Sequence, residues 1–208
     1  MYLRVTTFKS DPAKLEAGIT FVREKVVPAM KQAPGFLGAT CIVDRETSTG
    51  AASTLWESLE AMNKAEELGQ KARIESEEST GVEVVDVDRF EVTALDMSGT
   101  SIELPSYTRL TVAYGDPAKL DKTTDLIRDE VIPRLKGQPG FRAFSAGINR
   151  MTGRGFTVSS WGTAEQREAS NAAVADIRKR IEESGTLYGQ EVRLVETVIA
   201  EVMLPTRA

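Results

Sequence analysis

The chain has 208 residues, of which 41% are hydrophobic and 27% charged, the composition of a folded globular protein. Its 26 basic and 31 acidic residues give a net charge of −5, which argues against nucleic acid and anionic membranes as partners. The chain has no histidine, the commonest metal ligand, and no apolar run long enough to cross a bilayer. We therefore expect no metal and no cofactor. The single Cys41 allows no internal disulfide and fits a cytoplasmic protein.

The sequence repeats itself at a constant offset of 105 residues. The segment DPAKL begins at Asp11 and again at Asp116, and the segment PGF begins at Pro34 and again at Pro139. A duplication of this kind predicts two similar structural units with a short polar connection between them. The predicted boundaries are residues 1–95 for the first copy, 96–105 for the linker and 106–203 for the second copy.

Each copy begins with a predicted strand and a helix. In the first copy, Tyr2–Phe8 alternates in polarity and is rich in β-branched and aromatic residues, as a strand requires. Asp11 is a favourable helix cap, and Pro12 suits the first helical position because no hydrogen bond is lost there. A proline also lies inside the helix of each copy, at Pro28 and Pro133, which predicts a distortion of the helix.

A hairpin, a second helix and a last strand complete the pattern. The second strand covers about Gly38–Asp44, and the third ends at Trp56. Ser58 then caps the second helix, while the corresponding helix of the later copy opens with the capping box of Thr163–Gln166. The last strand of the first copy runs over about Val82–Val92.

The order of these elements, βαββαβ, predicts an α+β protein made of two ferredoxin-like repeats. Each repeat would form a four-stranded antiparallel sheet with both helices on one face, which leaves the other face bare. We therefore expect the two sheets to pack face to face as an intrachain dimeric α/β barrel. This arrangement is a pseudo-dimer within one chain, and further association into a homo-oligomer stays open.

Two pairs of repeated side chains are candidates for ligand binding. Trp56 and Trp161 each end a strand just before a helix, where a large ring either seals the core or contacts a ligand. Arg4 and Arg109 lie in the middle of the first strand of each copy. A buried arginine there either pairs with a carboxylate, for which the repeated Glu91 and Glu196 are candidates, or forms a site for an anion or enolate.

These motifs resemble the antibiotic biosynthesis monooxygenase family of the dimeric α/β-barrel superfamily. The resemblance rests on Pro34–Phe36 after the first helix, Trp56–Ser58 at the hairpin end, with Trp161–Thr163 in the second copy, and Glu60–Ala61 in the helix that follows. It implies a substrate held between helices and sheet, and either cofactor-independent oxygenation of aromatic polyketides or haem degradation. Haem degradation is not expected, because this chain lacks the histidine ligand that those family members use.

The resemblance also identifies Asn63 as a candidate catalytic residue and Trp56 as a pocket residue, with a small aromatic molecule as the partner. The counterpart of Asn63 in the second copy is Glu168, so a pocket that uses Asn63 would exist in the first copy alone. Two functions follow. The first, which we favour from the sequence, is a small-molecule-binding or non-catalytic assembly module, and the second is a cofactor-independent monooxygenase of an electron-rich aromatic or polyketide-type substrate.

Overall fold

The computed structural model describes residues 1–97 and 104–203, so that residues 98–103 of the predicted linker lie outside the described residues. The strands are β1 (Tyr2–Lys9), β2 (Phe36–Asp44), β3 (Thr49–Trp56), β4 (Glu83–Asp96), β5 (Ser106–Gly115), β6 (Phe141–Asn149), β7 (Arg154–Trp161) and β8 (Leu187–Val202). The α-helices are α1 (Leu15–Phe21), α2 (Val27–Met30), α3 (Leu59–Lys64), α4 (Glu66–Thr80), α5 (Leu120–Leu126), α6 (Ile132–Lys136), α7 (Ala164–Ala169) and α8 (Ala175–Glu183). No helix in these described segments is both long and apolar enough to span a membrane.

The prediction of two ferredoxin-like repeats packed sheet to sheet is wrong. The strands are hydrogen-bonded in the order β1-β3-β2-β8-β5-β7-β6-β4, and this order closes on itself as one antiparallel barrel. The cause is the length of the fourth strands, because β4 and β8 contain 14 and 16 residues. The end of β8 pairs with β2, and the end of β4 pairs with β6. These pairings satisfy backbone groups that two separate sheets would leave unpaired at their edges.

The chain divides into two compact units that exchange the ends of their fourth strands. Unit 1 comprises Met1–Arg89 with Glu196–Ala208, and unit 2 comprises Phe90–Val195. Each unit therefore contains the first three strands and the helices of one sequence copy, together with the end of the other copy's last strand. The predicted domain boundaries follow the sequence repeat and stay a prediction.

The predicted helix caps are confirmed. The Asp11 side chain accepts a hydrogen bond from the backbone of Ala13 at 2.9 Å, and Ser58 accepts one from Ala61 at 3.1 Å. At Thr163 both hydrogen bonds of the capping box are present. These short polar side chains satisfy backbone N–H groups that the first helical turn leaves without partners.

The two internal prolines each follow a π-helical turn. The turns cover Val22–Val26 and Ile127–Val131, and they lead directly into α2 and α6. In each turn a backbone N–H donates to the carbonyl five residues earlier, which accommodates the missing N–H of the proline that follows. The expected distortion is therefore a local widening of the helix, placed where its apolar side chains face the sheet.

Candidate ligand cavities

Each unit has a partly open cavity between its helices and its sheet. The cavity of unit 2 has a volume of about 140 Å³, and that of unit 1 about 70 Å³. An apolar protein cavity of ~150 Å³ holds one benzene molecule. The cavity of unit 2 therefore has room for one aromatic ring, whereas the cavity of unit 1 is too small for one.

The size difference follows from residue differences between the copies. Phe8 of β1 projects into the unit 1 cavity, and its counterpart in unit 2 is Ala113. Close packing of α1 against Val82 also narrows the cavity of unit 1, since a methyl group added at Gly18 would lie 2.7 Å from Cγ2 of Val82. Unit 2 has Thr123 at the position of Gly18. The differences are not one-sided, because Phe144 lines the unit 2 cavity where unit 1 has Ala39.

The walls of the unit 2 cavity are predominantly apolar, with polar groups from several elements. The apolar side chains include Phe144, Phe156, Leu135 and Ile148. The polar part of the lining consists of serine and threonine hydroxyls, the Gln190 amide and two guanidinium groups, and among the described lining residues there is no carboxylate. An apolar cavity with a few polar groups is typical of a site for a small organic molecule.

Arg109 supplies a positive charge to this cavity. It lies on β5, on the same face as Thr111 and Ala113 because side chains alternate along a strand, and all three line the cavity. Its guanidinium donates to the Ser170 hydroxyl at 3.0 Å and to the backbone carbonyl of Arg167. Burial lowers the pKa of Arg109, and its neighbouring cations lower it further.

Arg4, the counterpart in unit 1, is instead paired with a carboxylate. Its guanidinium lies 2.9 Å from the Glu66 carboxylate and donates to the carbonyl oxygens of Met62 and, at 3.3 Å, Ala65. It also lies over the ring of Trp56, 5.8 Å from the centroid. Burial lowers the pKa of Arg4, and the charge of Glu66 opposes this effect.

The expected pairing of the strand arginines with Glu91 and Glu196 is wrong. Glu91 accepts a hydrogen bond from Arg150 at 2.7 Å, and Glu196 accepts one from Arg45 at the same distance. The exchanged strand ends explain the difference. They carry these two acids away from the first strand of their own copy and towards the hairpin turn of the other copy.

Both tryptophans pack in the cores of their units. Trp56 and Trp161 are fully buried, and their indole N–H groups donate to Thr54 at 2.9 Å and to Ser159 at 3.1 Å. Neither ring is among the residues that line the two cavities, although Thr54 and Ser159 are. Ligand contact by the tryptophans thus stays a prediction, and in this structure the residues that accept from the indoles line the cavities instead.

Asn63 is exposed on α3 and is not among the lining residues of either cavity. Its catalytic role stays a prediction. Sequence reasoning missed Arg178, which lines the unit 2 cavity from α8, and Ala113, which gives that cavity its room. A comparison of the two copies could have found both. Arg178 corresponds to an arginine in the first copy, Arg73, and Ala113 corresponds to a much larger residue, Phe8.

Other candidate chemistry is sparse. Cys41 is fully buried, and burial raises the pKa of its thiol to about 12, which does not favour a reactive thiolate. Within residues 1–97 and 104–203, no three histidine, cysteine, aspartate or glutamate side chains cluster as a metal site would require.

Two relatives occur in Mycobacterium tuberculosis. The chain is 28% identical to the uncharacterized protein Rv2557 over 179 residues, which cover 84% of this chain and 79% of that protein. It is 26% identical to the uncharacterized protein Rv2558 over 211 aligned residues, which cover 99% of this chain and 86% of that one. No protein-family profile matches the chain.

Solved structures with the same fold cover nearly the whole chain. An anthrone oxidase-like protein aligns with a TM-score of 0.66 at 18% identity, over 100% of this chain and 95% of that one. A proposed monooxygenase of Lactobacillus acidophilus aligns with a TM-score of 0.69 at 9% identity, over 98% and 99% of the two chains. A proposed monooxygenase of Fusobacterium nucleatum aligns with a TM-score of 0.72 at 12% identity, over 97% of this chain and 94% of that one. At such identities the likeness is one of fold.

Proposed function

We propose that the protein is a cofactor-independent oxygenase of the antibiotic biosynthesis monooxygenase kind, which oxidises an electron-rich aromatic compound in the cavity of unit 2. The observation that carries the proposal is an apolar, ring-sized cavity with the buried guanidinium of Arg109 in its wall. The fold shared with an anthrone oxidase-like protein and with proposed monooxygenases supports it.

The substrate class is an aromatic compound with an acidic methylene group, of which anthrone is a simple polycyclic example. Loss of one proton to solvent gives an enolate that reduces O₂ directly. Two C–H bonds of the methylene carbon break and a C=O bond forms. One oxygen atom of O₂ enters this carbonyl, the other leaves as water, and the substrate supplies all four electrons.

The chain's own part in this reaction is to bind the substrate and to stabilise its anion. The cavity that Phe144 and Phe156 line would take one terminal ring of the substrate, and the positive charge of Arg109 in its wall would stabilise the enolate oxygen. Because the cavity is apolar, this electrostatic interaction is stronger than it would be in water.

The test is O₂ uptake and quinone formation with anthrone, corrected for the spontaneous reaction without protein. Ala113→Phe places in unit 2 the ring that Phe8 places in unit 1, and we expect it to lower turnover by at least about tenfold by filling the cavity. The matched control is Ala39→Phe, which places in unit 1 the ring that Phe144 provides in unit 2. This variant should keep full turnover, and thermal unfolding checks that both variants fold.

A binding module without turnover is the second candidate. The absence of a carboxylate among the described lining residues favours it, since no general base then faces the ligand. Anthrone binding without O₂ uptake above the blank would select this function and reject the oxygenase.

A further inference from the structure

The two copies carry the same acid and amide in exchanged positions. Unit 1 has Asn63 and Glu66, one turn apart at the α3–α4 junction, whereas unit 2 has Glu168 and Asn171 at the corresponding positions. The exchange moves a carboxylate by three residues, which is about one helical turn, and so changes what it can reach.

In unit 1, the arginines around the cavity share one internal carboxylate, that of Glu66. Its carboxylate lies 2.9 Å from Arg4, 2.6 Å from Arg73 and 2.9 Å from Arg89. Both arginines that line this cavity, Arg4 and Arg73, thus have their negative partner inside the protein. The negative charge of Glu66 offsets part of the positive charge at this cavity, so an additional anion is attracted less strongly there than it would be without Glu66.

In unit 2, the corresponding arginines lack such a partner. Arg109 and Arg178 both line the cavity, and no carboxylate within the described residues forms an ion pair with either. Glu168 is exposed and accepts a hydrogen bond from the Asn171 amide at 2.9 Å. Its charge raises the pKa of Arg109, but burial and the positive charge of Arg178 outweigh it.

Arg109 is buried and Arg178 is partly buried beside it, and two such like charges in one cavity wall are costly unless an anion joins them. We infer that the ligand of the unit 2 cavity is a single-ring or ring-terminated aromatic compound with an anionic oxygen group, a carboxylate or a phenolate, held by Arg109 and Arg178. The acid–amide exchange at positions 168 and 171 restricts this binding to unit 2. The inference rests on the proposed substrate cavity and deepens it by naming the charge of the ligand.

The experiment measures Kd by titration calorimetry at pH 8.5 with three probes of one ring each. Benzoate and 4-nitrophenolate carry the two anionic groups, and benzamide is the neutral analogue of benzoate. We expect at least one anion to bind wild-type protein at least about tenfold more tightly than benzamide, the gain of one charge-assisted hydrogen bond. The tighter of the two anions identifies the group that the ligand carries.

The variant Asn171→Glu places a carboxylate where unit 1 has Glu66. It should weaken anion binding by at least about tenfold and leave benzamide binding unchanged, because an internal ion pair then competes with the ligand. Asn171→Gln should keep the wild-type preference. The double variant Glu168→Asn/Asn171→Glu reproduces the arrangement of unit 1, and Glu66→Gln is the control in the other unit.

Equal affinity for anions and benzamide, no binding of any probe at millimolar concentration, or an unchanged preference in folded Asn171→Glu would each overturn the inference. The anion site and the oxygenase can fail separately. Benzoate binding that responds to residue 171, without O₂ uptake from anthrone, would keep the site and reject the reaction. Turnover of anthrone without any preference for anions would keep the oxygenase and reject the anion site.

Discussion

Glu66 is surrounded by three guanidinium groups and stabilises unit 1 in a pH-dependent way. Partial burial tends to raise the pKa of this carboxyl, but hydrogen bonds from Arg73 and Arg89 and the charge of Arg4 outweigh burial and lower it. A carboxyl with a lowered pKa in the folded state stabilises the fold above its unfolded pKa, and this contribution is lost as the pH falls through the folded value.

We therefore expect Glu66→Gln to lower the free energy of unfolding at pH 7 by about 1.5–3 kcal/mol, the range for hydrogen bonds to charged groups. The difference from wild type should shrink as the pH falls below about 4.3, the ordinary glutamate value. Urea unfolding at pH 7, 5 and 3 measures it. Glu67→Gln, one residue further along and exposed, is the control. A difference that stays constant down to pH 3 would show that the carboxylate charge plays no part.

At the scale of single residues, the sequence predicts which side chains enter a site better than it predicts their partners. Arg109 and Thr111 fall on one strand face by their two-residue spacing, and both line the unit 2 cavity. The partner of Arg4 was mispredicted because Glu66 lies on a different element, and periodicity does not say how two elements pack. Comparing the copies position by position would have shown the loss of the acid at Asn171.

The secondary-structure elements show where local signals suffice. Caps such as Asp11 and Thr163 depend on contacts within four residues, so the sequence specifies them fully. Local signals do not specify which strand pairs with which. The alternation in β4 and β8 predicts which side chains share a face, but it does not predict which strand forms hydrogen bonds with their edges. For this reason the barrel closure could not be predicted.

The π turn before each internal proline gives the next prediction. A proline within a regular helix costs about 3 kcal/mol, largely through a lost hydrogen bond and a clash with the preceding turn. In this helix the N–H of Val27 already donates to Val22, five residues earlier. We therefore expect Pro28→Ala to raise the free energy of unfolding by less than about 1 kcal/mol, since the π turn has already accommodated the ring.

Urea unfolding measures this change, and Pro133→Ala tests the same argument in unit 2, where Ile132 donates to Ile127. A gain near 3 kcal/mol in either variant would mean that the proline strains the helix.

The π turns also have a consequence for the cavities. They place Ile127 and Val131 in the wall of the unit 2 cavity, so a variant that regularises the helix should alter ligand affinity as well.

For the whole molecule, the exchanged strand ends make each sequence copy incomplete by itself. Cys41 on β2 pairs with Ile199 on β8 and lies in one apolar cluster with Val198 and Ile199. These covering residues belong to the second copy in sequence and to unit 1 in structure. The solvent protection of Cys41 is therefore a measure of whether the exchanged end is in place.

We predict that Cys41 in a monomeric fragment of residues 1–95 reacts with a thiol reagent at pH 8 at least about tenfold faster than in the full chain. Each 1.4 kcal/mol of protection that is lost corresponds to about a factor of ten in the open population. Addition of a separately produced fragment of residues 96–208 should restore protection, because it supplies the missing end of β8. If the monomeric fragment protected Cys41 as well as the full chain does, the first copy would be a self-sufficient domain, and strand exchange would contribute nothing to its stability.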